Sequence, residues 1–402
     1  MDARSPSSDR EGVREQVGEI RAIEGLRGIA VLWVVAFHYL VLREGMFDDA
    51  VVGYVNGQPA LHALVRNGWF GVDLFFLITG FLLALPWFVR ASRGEPAPAA
   101  RDFWIRRIRR IVPAYYVQLA FLALVCLPLL MSWRFVKAEV LFVAFTLGAH
   151  ATFLHYLTPL TSASFGINGA LWSLALEAQY YLLLPFLAPL FVRRPLATAA
   201  AMVAIAIAWR WNAANGFGGL VALYDAIAAR WQVPEAHLRH LLATQLPGYL
   251  AHFALGILCG RLWLATRGRK ASRSRDFALA AGALAAFGAL WAALGQGIAP
   301  LGPFSWLAWP LLLAAILACG VSGRPAWSDA VLAPAPLAWA GRVSYSAYLY
   351  HLPLLLLMGK LFPGFGGWLA FPAYLGILAA VSWLSWRFVE VPFLARRRPD
   401  SP

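Results

Sequence analysis

Uncharged apolar runs of about twenty residues recur along the whole chain, IVPAYYVQLAFLALVCLPLLM and WLAFPAYLGILAAVSWLSW among them. A helix rising ~1.5 Å per residue needs ~20 such residues to cross the hydrocarbon of a bilayer, so each run is a candidate span. The composition agrees. Of 402 residues, 60% are hydrophobic and 13% charged, where a soluble domain carries about 25% charged residues. A soluble core enzyme and an extended disordered chain are excluded. The expected fold class is an all-α polytopic membrane protein embedded in a lipid bilayer.

Hydrophobic runs between basic blocks place ten spans at roughly 23–42, 69–89, 111–131, 171–191, 196–213, 243–265, 276–295, 304–321, 338–358 and 367–390. Alternating them from a cytoplasmic N-terminus puts 26 of the 34 Lys and Arg on the inner side, the orientation that the positive-inside rule selects. Both termini are then cytoplasmic. The apolar stretch at about 135–157 does not fit as an eleventh crossing, because it would carry Arg193 and Arg194 outside. It also holds Lys137, Glu139, His150 and His155. It is expected to enter from the outer face and return, the alternative being a full span with a different topology downstream. The domain reading is a polar tail at 1–20, one membrane domain at 21–394 and a basic tail at 395–402. The polar start is not followed by a small-residue cleavage site, so the first helix is expected to be an uncleaved anchor.

The net charge of +14 falls in short blocks between apolar runs, which is how membrane topology is written, and no nucleic-acid partner is expected. Arginine outnumbers lysine 31 to 3 and alanine is abundant, which points to a GC-rich bacterial genome and to a bacterial cytoplasmic membrane. Cys126, Cys259 and Cys319 sit inside apolar stretches at spacings that match no metal motif or disulfide framework. No metal site is expected.

Titratable side chains inside spans are costly and therefore mark function or pairing. Arg27 and His38 are eleven residues apart in EGLRGIAVLWVVAFHYL, so they share one helix face about 16 Å apart along the axis. Glu24, one turn before Arg27, is a candidate ion-pair partner for it. In GVDLFFLITGFLLALPW, Asp73 is either a helix cap after Asn67 and Gly68 or a buried functional partner, and Gly80 permits close helix packing. Arg107 and Arg110 are one turn apart, as are Arg106 and Arg109. Guanidinium forks at that spacing suit a phosphate-rich ligand or lipid phosphates. In ALWSLALEAQYYLLLPF, Trp172 and Ser173 precede Glu177, with Tyr180 and Tyr181 three and four residues beyond. A glutamate among Leu, Ala and Tyr must be neutral or paired, and an imidazole is a suitable partner. His351 and Glu390 rank below His38, as packing or interface residues. The chain has no GxSxG elbow, no GxxxxGK[ST] loop and no HExxH helix, so serine-hydrolase and nucleotide-hydrolysing pump readings lose support.

Six segments in order, IEGLRGIAVLWVVAFH, GVDLFFLITGFLL, RRIRRIVPAYY, LWSLALEAQYYLLLP, GRVSYSAYLYHLPLL and WRFVEVPFL, give the chain its resemblance to the acyltransferase-3 family of integral membrane O-acyltransferases. The resemblance covers residues 20–394. It implies that Arg27 and His38 are the arginine and histidine of the first-helix signature, that Arg107 and Arg110 are the arginine pair at the cytoplasmic face, and that Glu177 belongs to the WSLxxE segment. Thr79 stands where the family often has serine, and Val391 where it usually has proline. The implied activity is transfer of an acyl group, acetyl first among them, from acyl-CoA to a hydroxyl of a carbohydrate or glycosylated acceptor. His38 would be general base with Glu177 orienting it. Arg27, Arg107 and Arg110 would bind the donor, and Asp73, Trp172, Ser173 and Tyr180 would assist. Acyl-CoA is a co-substrate, and no permanently bound cofactor is expected. Two rivals are an O-acyltransferase acting on a macrolide or other small natural product from the cytoplasmic side, and a transporter or flippase for lipid-linked sugars. The latter often shows two similar halves, and none is visible here.

Overall fold

The computed structural model describes residues 21–44, 49–229, 233–267, 272–296, 305–321 and 326–395. The tail expected at 1–20, and all but the first residue of the one expected at 395–402, lie outside the described residues. Among the described residues, ten long helices overlap the ten apolar runs: α1 (Arg21–Arg43), α2 (Phe70–Ser92), α3 (Ala100–Phe121), α4 (Trp172–Arg193), α5 (Pro195–Ala214), α6 (Leu246–Thr266), α7 (Arg273–Gln296), α8 (Ser305–Val321), α9 (Ser344–Leu361) and α10 (Ala370–Ser385). Among the described residues there is no strand. Seven helical stretches among the described residues are long and apolar enough to cross a bilayer, and Trp306–Val321 is a shorter apolar helix. The protein is all-α and polytopic.

Boundaries depart from the apolar runs where helix outlasts hydrophobicity. α3 begins at Ala100, well before the run at 111, because the arginine-rich stretch 101–110 is made of good helix formers and continues the same helix. It runs on through a π-helical segment, Leu122–Met131. Short helices also form in the stretches between spans, at Ala50–Asn56, Pro59–Arg66 and Leu220–Ala228.

Helix α2 lies at the centre, against α1, α4, α6 and α8. Its approach to α6 is backbone to backbone. A Cβ on Gly80 would run into the carbonyl oxygen of Phe253, and one on Gly256 into that of Leu77. Such small-residue contacts bring membrane helices together when no hydrophobic drive separates protein from lipid. Helix α1 meets the short helix Ala335–Arg342 in the same way, through Gly28 and Gly341, while Gly25 faces the Leu332 carbonyl at the end of the short helix Ala326–Leu332. At the far end of α1 a buried ion pair, Arg43 Nε to Asp49 Oδ2 at 2.6 Å, takes a further bond from the Tyr39 hydroxyl. Arg43 also donates to the Phe365 carbonyl. Asp49 in turn caps Ala50–Asn56, so the end of α1 that carries His38 is tied to two neighbouring segments.

The stretch at 135–157 holds two short helices, Trp133–Ala138 and Val140–Ala151. The second has 12 residues, about 18 Å at 1.5 Å per residue, too short for a full crossing. It ends beside the middle of the helix formed by α3 and its π-helical extension, where Tyr115 and Tyr116 donate to the carbonyls of His150 and Ala151. The chain then returns through irregular backbone to α4. Polar side chains satisfy that backbone: His155 Nε2 meets the Leu171 carbonyl, Thr161 donates to that of His155, and Gln245 to that of Tyr156. His150 Nδ1 meets the Thr146 carbonyl and its Nε2 the Ser164 hydroxyl at 2.6 Å, while the two imidazoles stack 4.0 Å apart. Non-helical backbone at membrane depth requires such internal partners.

Candidate active site

Arg27 on α1, Arg107 and Arg110 on α3, and Glu177 on α4 converge on one cavity of about 110 Å³. Its walls also include Thr79 on α2, Ser173 and Tyr181 on α4, and Ser344 and Tyr348 on α9. Helical spacing explains the convergence, since Ser173, Glu177 and Tyr181 recur every fourth residue and so line one face of α4.

Arg27 is not held by Glu24, as the sequence allowed. Glu24 reaches outward to Arg342 at 3.5 Å, and Arg27 instead donates to the Ser344 hydroxyl at 3.0 Å. The Nε atoms of Arg27 and Arg107 are buried without a partner among the described residues. Arg110 lies 3.8 Å from Glu390, which also accepts from Ser346 at 2.6 Å. Glu390, ranked from sequence as a packing residue, is thus the buried counter-charge of the arginine cluster. Three guanidinium groups face two carboxylates, and two N–H donors stand unmatched inside the walls.

Glu177 accepts from the Tyr181 hydroxyl at 2.5 Å and from Thr79 at 3.0 Å. Thr79 therefore keeps the hydroxyl that serine would bring. Tyr181, four residues on, is the tyrosine of the site. Tyr180, expected as an assistant, is turned away and stacks on Phe253 at 3.8 Å. The expectation that Glu177 orients His38 is corrected too: the described partners of the His38 ring are the Val34 carbonyl at 3.0 Å and His351 at 3.2 Å, both at Nδ1. The sequence missed this role of His351, because the periodicity of one helix does not say which face of another it meets.

Neither His38 nor His351 lines the cavity. Tyr348 stands between. Its ring lines the cavity and lies 5.4 Å from the His351 ring, and its hydroxyl is fixed by Ser173 at 2.7 Å and the Ala170 carbonyl at 2.8 Å. Ser173 therefore acts on the site by holding Tyr348. Trp172 is half-buried and not in the cavity wall; it packs with Tyr156, Tyr249 and Phe76, the last of which does line the cavity. Asp73 caps nothing: the N-cap of α2 is Trp69, and the buried Asp73 carboxylate lies 3.4 Å from the imidazole of His252 on α6. That pair forms a separate polar contact, away from the arginines.

The site is thus an arginine-lined cavity inside an all-α polytopic bundle, with an imidazole on the same helix as one of those arginines. The family model described as an acyltransferase domain matches residues 20–387, and the chain belongs to that family, the acyltransferase-3 group. It is similar to the peptidoglycan O-acetyltransferase of Listeria monocytogenes, 24% identical over 397 residues, covering 93% of this chain and 55% of that protein. It is also similar to a Bacillus subtilis protein provisionally named a peptidoglycan O-acetyltransferase, 28% identical over 200 residues, 47% of this chain and 27% of the relative. The chain spans about half the length of the Listeria relative, and less of the second. No solved structure matches.

Proposed function

We propose that this chain is a membrane O-acyltransferase that moves an acyl group from acyl-CoA to a hydroxyl of a carbohydrate, with His38 as general base. The observation that carries it is the set of three arginines around one cavity, two of them with unmatched buried Nε donors, on helices that also present the imidazole. Names of the relatives support a glycan acceptor and an acetyl group. The cavity is small beside the ~300–1,000 Å³ of a pocket that encloses a whole small-molecule ligand. It holds a phosphate group or the reacting arm of the donor, with the rest of the nucleotide outside.

In the reaction the alcohol oxygen attacks the thioester carbonyl while His38 Nε2 takes its proton. The tetrahedral intermediate collapses with cleavage of the C–S bond, and the thiolate leaves with the proton that His38 returns. Guanidinium groups hold the donor in place, so that binding energy positions the thioester. Neither histidine lines the cavity, and Tyr348 lies in its wall beside His351, so the mechanism requires its ring to swing aside as the thioester advances. The donor enters at the Arg27 end, which the basic blocks assign to the cytoplasm, and the acceptor at the His38 end.

The test uses purified protein in nanodiscs with acetyl-CoA and soluble peptidoglycan fragments, following thiol release. Turnover by the parent protein and a fall of about 10²–10⁴ in His38→Ala are expected, the usual contribution of a general base. Parental turnover in His38→Ala would refute the base assignment.

A further inference from the structure

Two imidazoles meet where α1 passes α9. The His38 and His351 ring centroids are 4.9 Å apart, and His351 is fully buried while His38 is half-buried. Their other partners fix where the hydrogens are. His351 Nδ1 stands 2.7 Å from the Tyr348 carbonyl oxygen, which can only accept, so that nitrogen carries the hydrogen and Nε2 of the neutral ring offers a lone pair. His38 Nδ1 stands 3.0 Å from the Val34 carbonyl oxygen. It too carries a hydrogen, shared between that carbonyl and His351 Nε2 at 3.2 Å. His38 Nε2 is then left with a free lone pair, and it has no hydrogen-bond partner among the described residues.

We propose that His351 is the positioning residue of His38, accepting its Nδ1–H and so keeping Nε2 as the nitrogen that takes the acceptor's proton. The inference rests on the reading of His38 as base. In many hydrolases an aspartate holds the corresponding tautomer and stabilises the imidazolium. Here the Glu177 carboxylate is engaged by Thr79 and Tyr181, and a neutral imidazole does the same work without placing a permanent negative charge in the bundle. When His38 becomes an imidazolium, its Nδ1–H still has two acceptors, the Val34 carbonyl and His351 Nε2. The orientation of His351 is set in turn by the backbone of Tyr348, a residue in the wall of the arginine cavity, so the state of that wall and the aim of the base are coupled through one residue.

Steady-state kinetics of the full chain test this. His351→Gln places an acceptor oxygen near the former Nε2 and is expected to keep kcat within about threefold of the parent, whereas His351→Asn reaches the Tyr348 carbonyl but not His38 and should lower kcat about tenfold to a hundredfold with an unchanged KM for acetyl-CoA. In a His38→Ala background, His351→Asn should add no further loss, because the two act as one unit. Parental kcat in His351→Asn, or an equal additional loss on top of His38→Ala, overturns the proposal. So does equal impairment of both His351 variants with a lowered melting midpoint, which would mark a packing role. Failure of the base reading is read separately, from parental turnover in His38→Ala alone.

Discussion

Three guanidinium groups around a single cavity repel one another, and the two carboxylates beside them offset only part of that charge. An N–H of a buried cation with no acceptor costs about 1–3 kcal/mol, and Arg27 and Arg107 each leave one so placed. On the proposed function, the anionic donor fills that gap and offsets the cost. Arg107→Ala is therefore expected to raise the KM for acetyl-CoA about tenfold to a hundredfold while kcat stays within a few-fold, each factor of ten corresponding to ~1.4 kcal/mol of lost binding. Arg66→Ala, which removes only an exposed pair with Glu44, should leave both constants unchanged. An Arg107→Ala protein with a parental KM would assign the arginine to lipid phosphates instead. At this scale the sequence named the charged members, Arg27, Arg107, Arg110 and Glu177, because charge in an apolar span is conspicuous. It missed Thr79, Tyr181 and Tyr348 as working parts. Hydroxyls are unremarkable in a membrane helix until a partner from another helix is in view.

Helices were legible because their lengths are set by the bilayer, and their ends less so, since arginine continues a helix as readily as leucine does. The segment at 135–157 shows where both kinds of reasoning meet. Its histidines looked out of place in an apolar run, yet in the fold they supply the hydrogen bonds that irregular backbone lacks. His150 bridges Thr146 and Ser164, and His155 reaches Leu171. Replacing both by leucine keeps the apolar volume but leaves those acceptors and the Ser164 hydroxyl unsatisfied, at about 1–3 kcal/mol for each buried group. The expected result is a melting midpoint lowered by several degrees in a thermal unfolding assay of the detergent-solubilised protein, with per-molecule activity preserved at low temperature. An unchanged midpoint would show that the pair does not hold this segment.

For the molecule as a whole, the order of ten helices followed from hydropathy, but their mutual arrangement did not. Contacts such as Gly80 with Phe253 or Gly25 with Leu332 join residues more than 150 positions apart, and only the missing Cβ hints at them. The orientation in the bilayer rests on charge alone. Positive blocks between α2 and α3, and after α4, belong on the cytoplasmic side if the bias in Lys and Arg sets topology. The arginine cavity then opens toward the compartment that holds acyl-CoA, and His38 lies toward the side where glycans are assembled. Single cysteines make this measurable, because Cys126 and Cys259 are buried and Cys319 is half-buried, which keeps background labelling low. Asn56→Cys, exposed on the short helix after α1, is expected to react with a membrane-impermeant maleimide in intact cells. Ala91→Cys, exposed at the end of α2, should react only after permeabilisation. The reverse pattern would place the arginines on the outer side. A cytoplasmic thioester could then not reach them, and the donor would have to be something other than acyl-CoA.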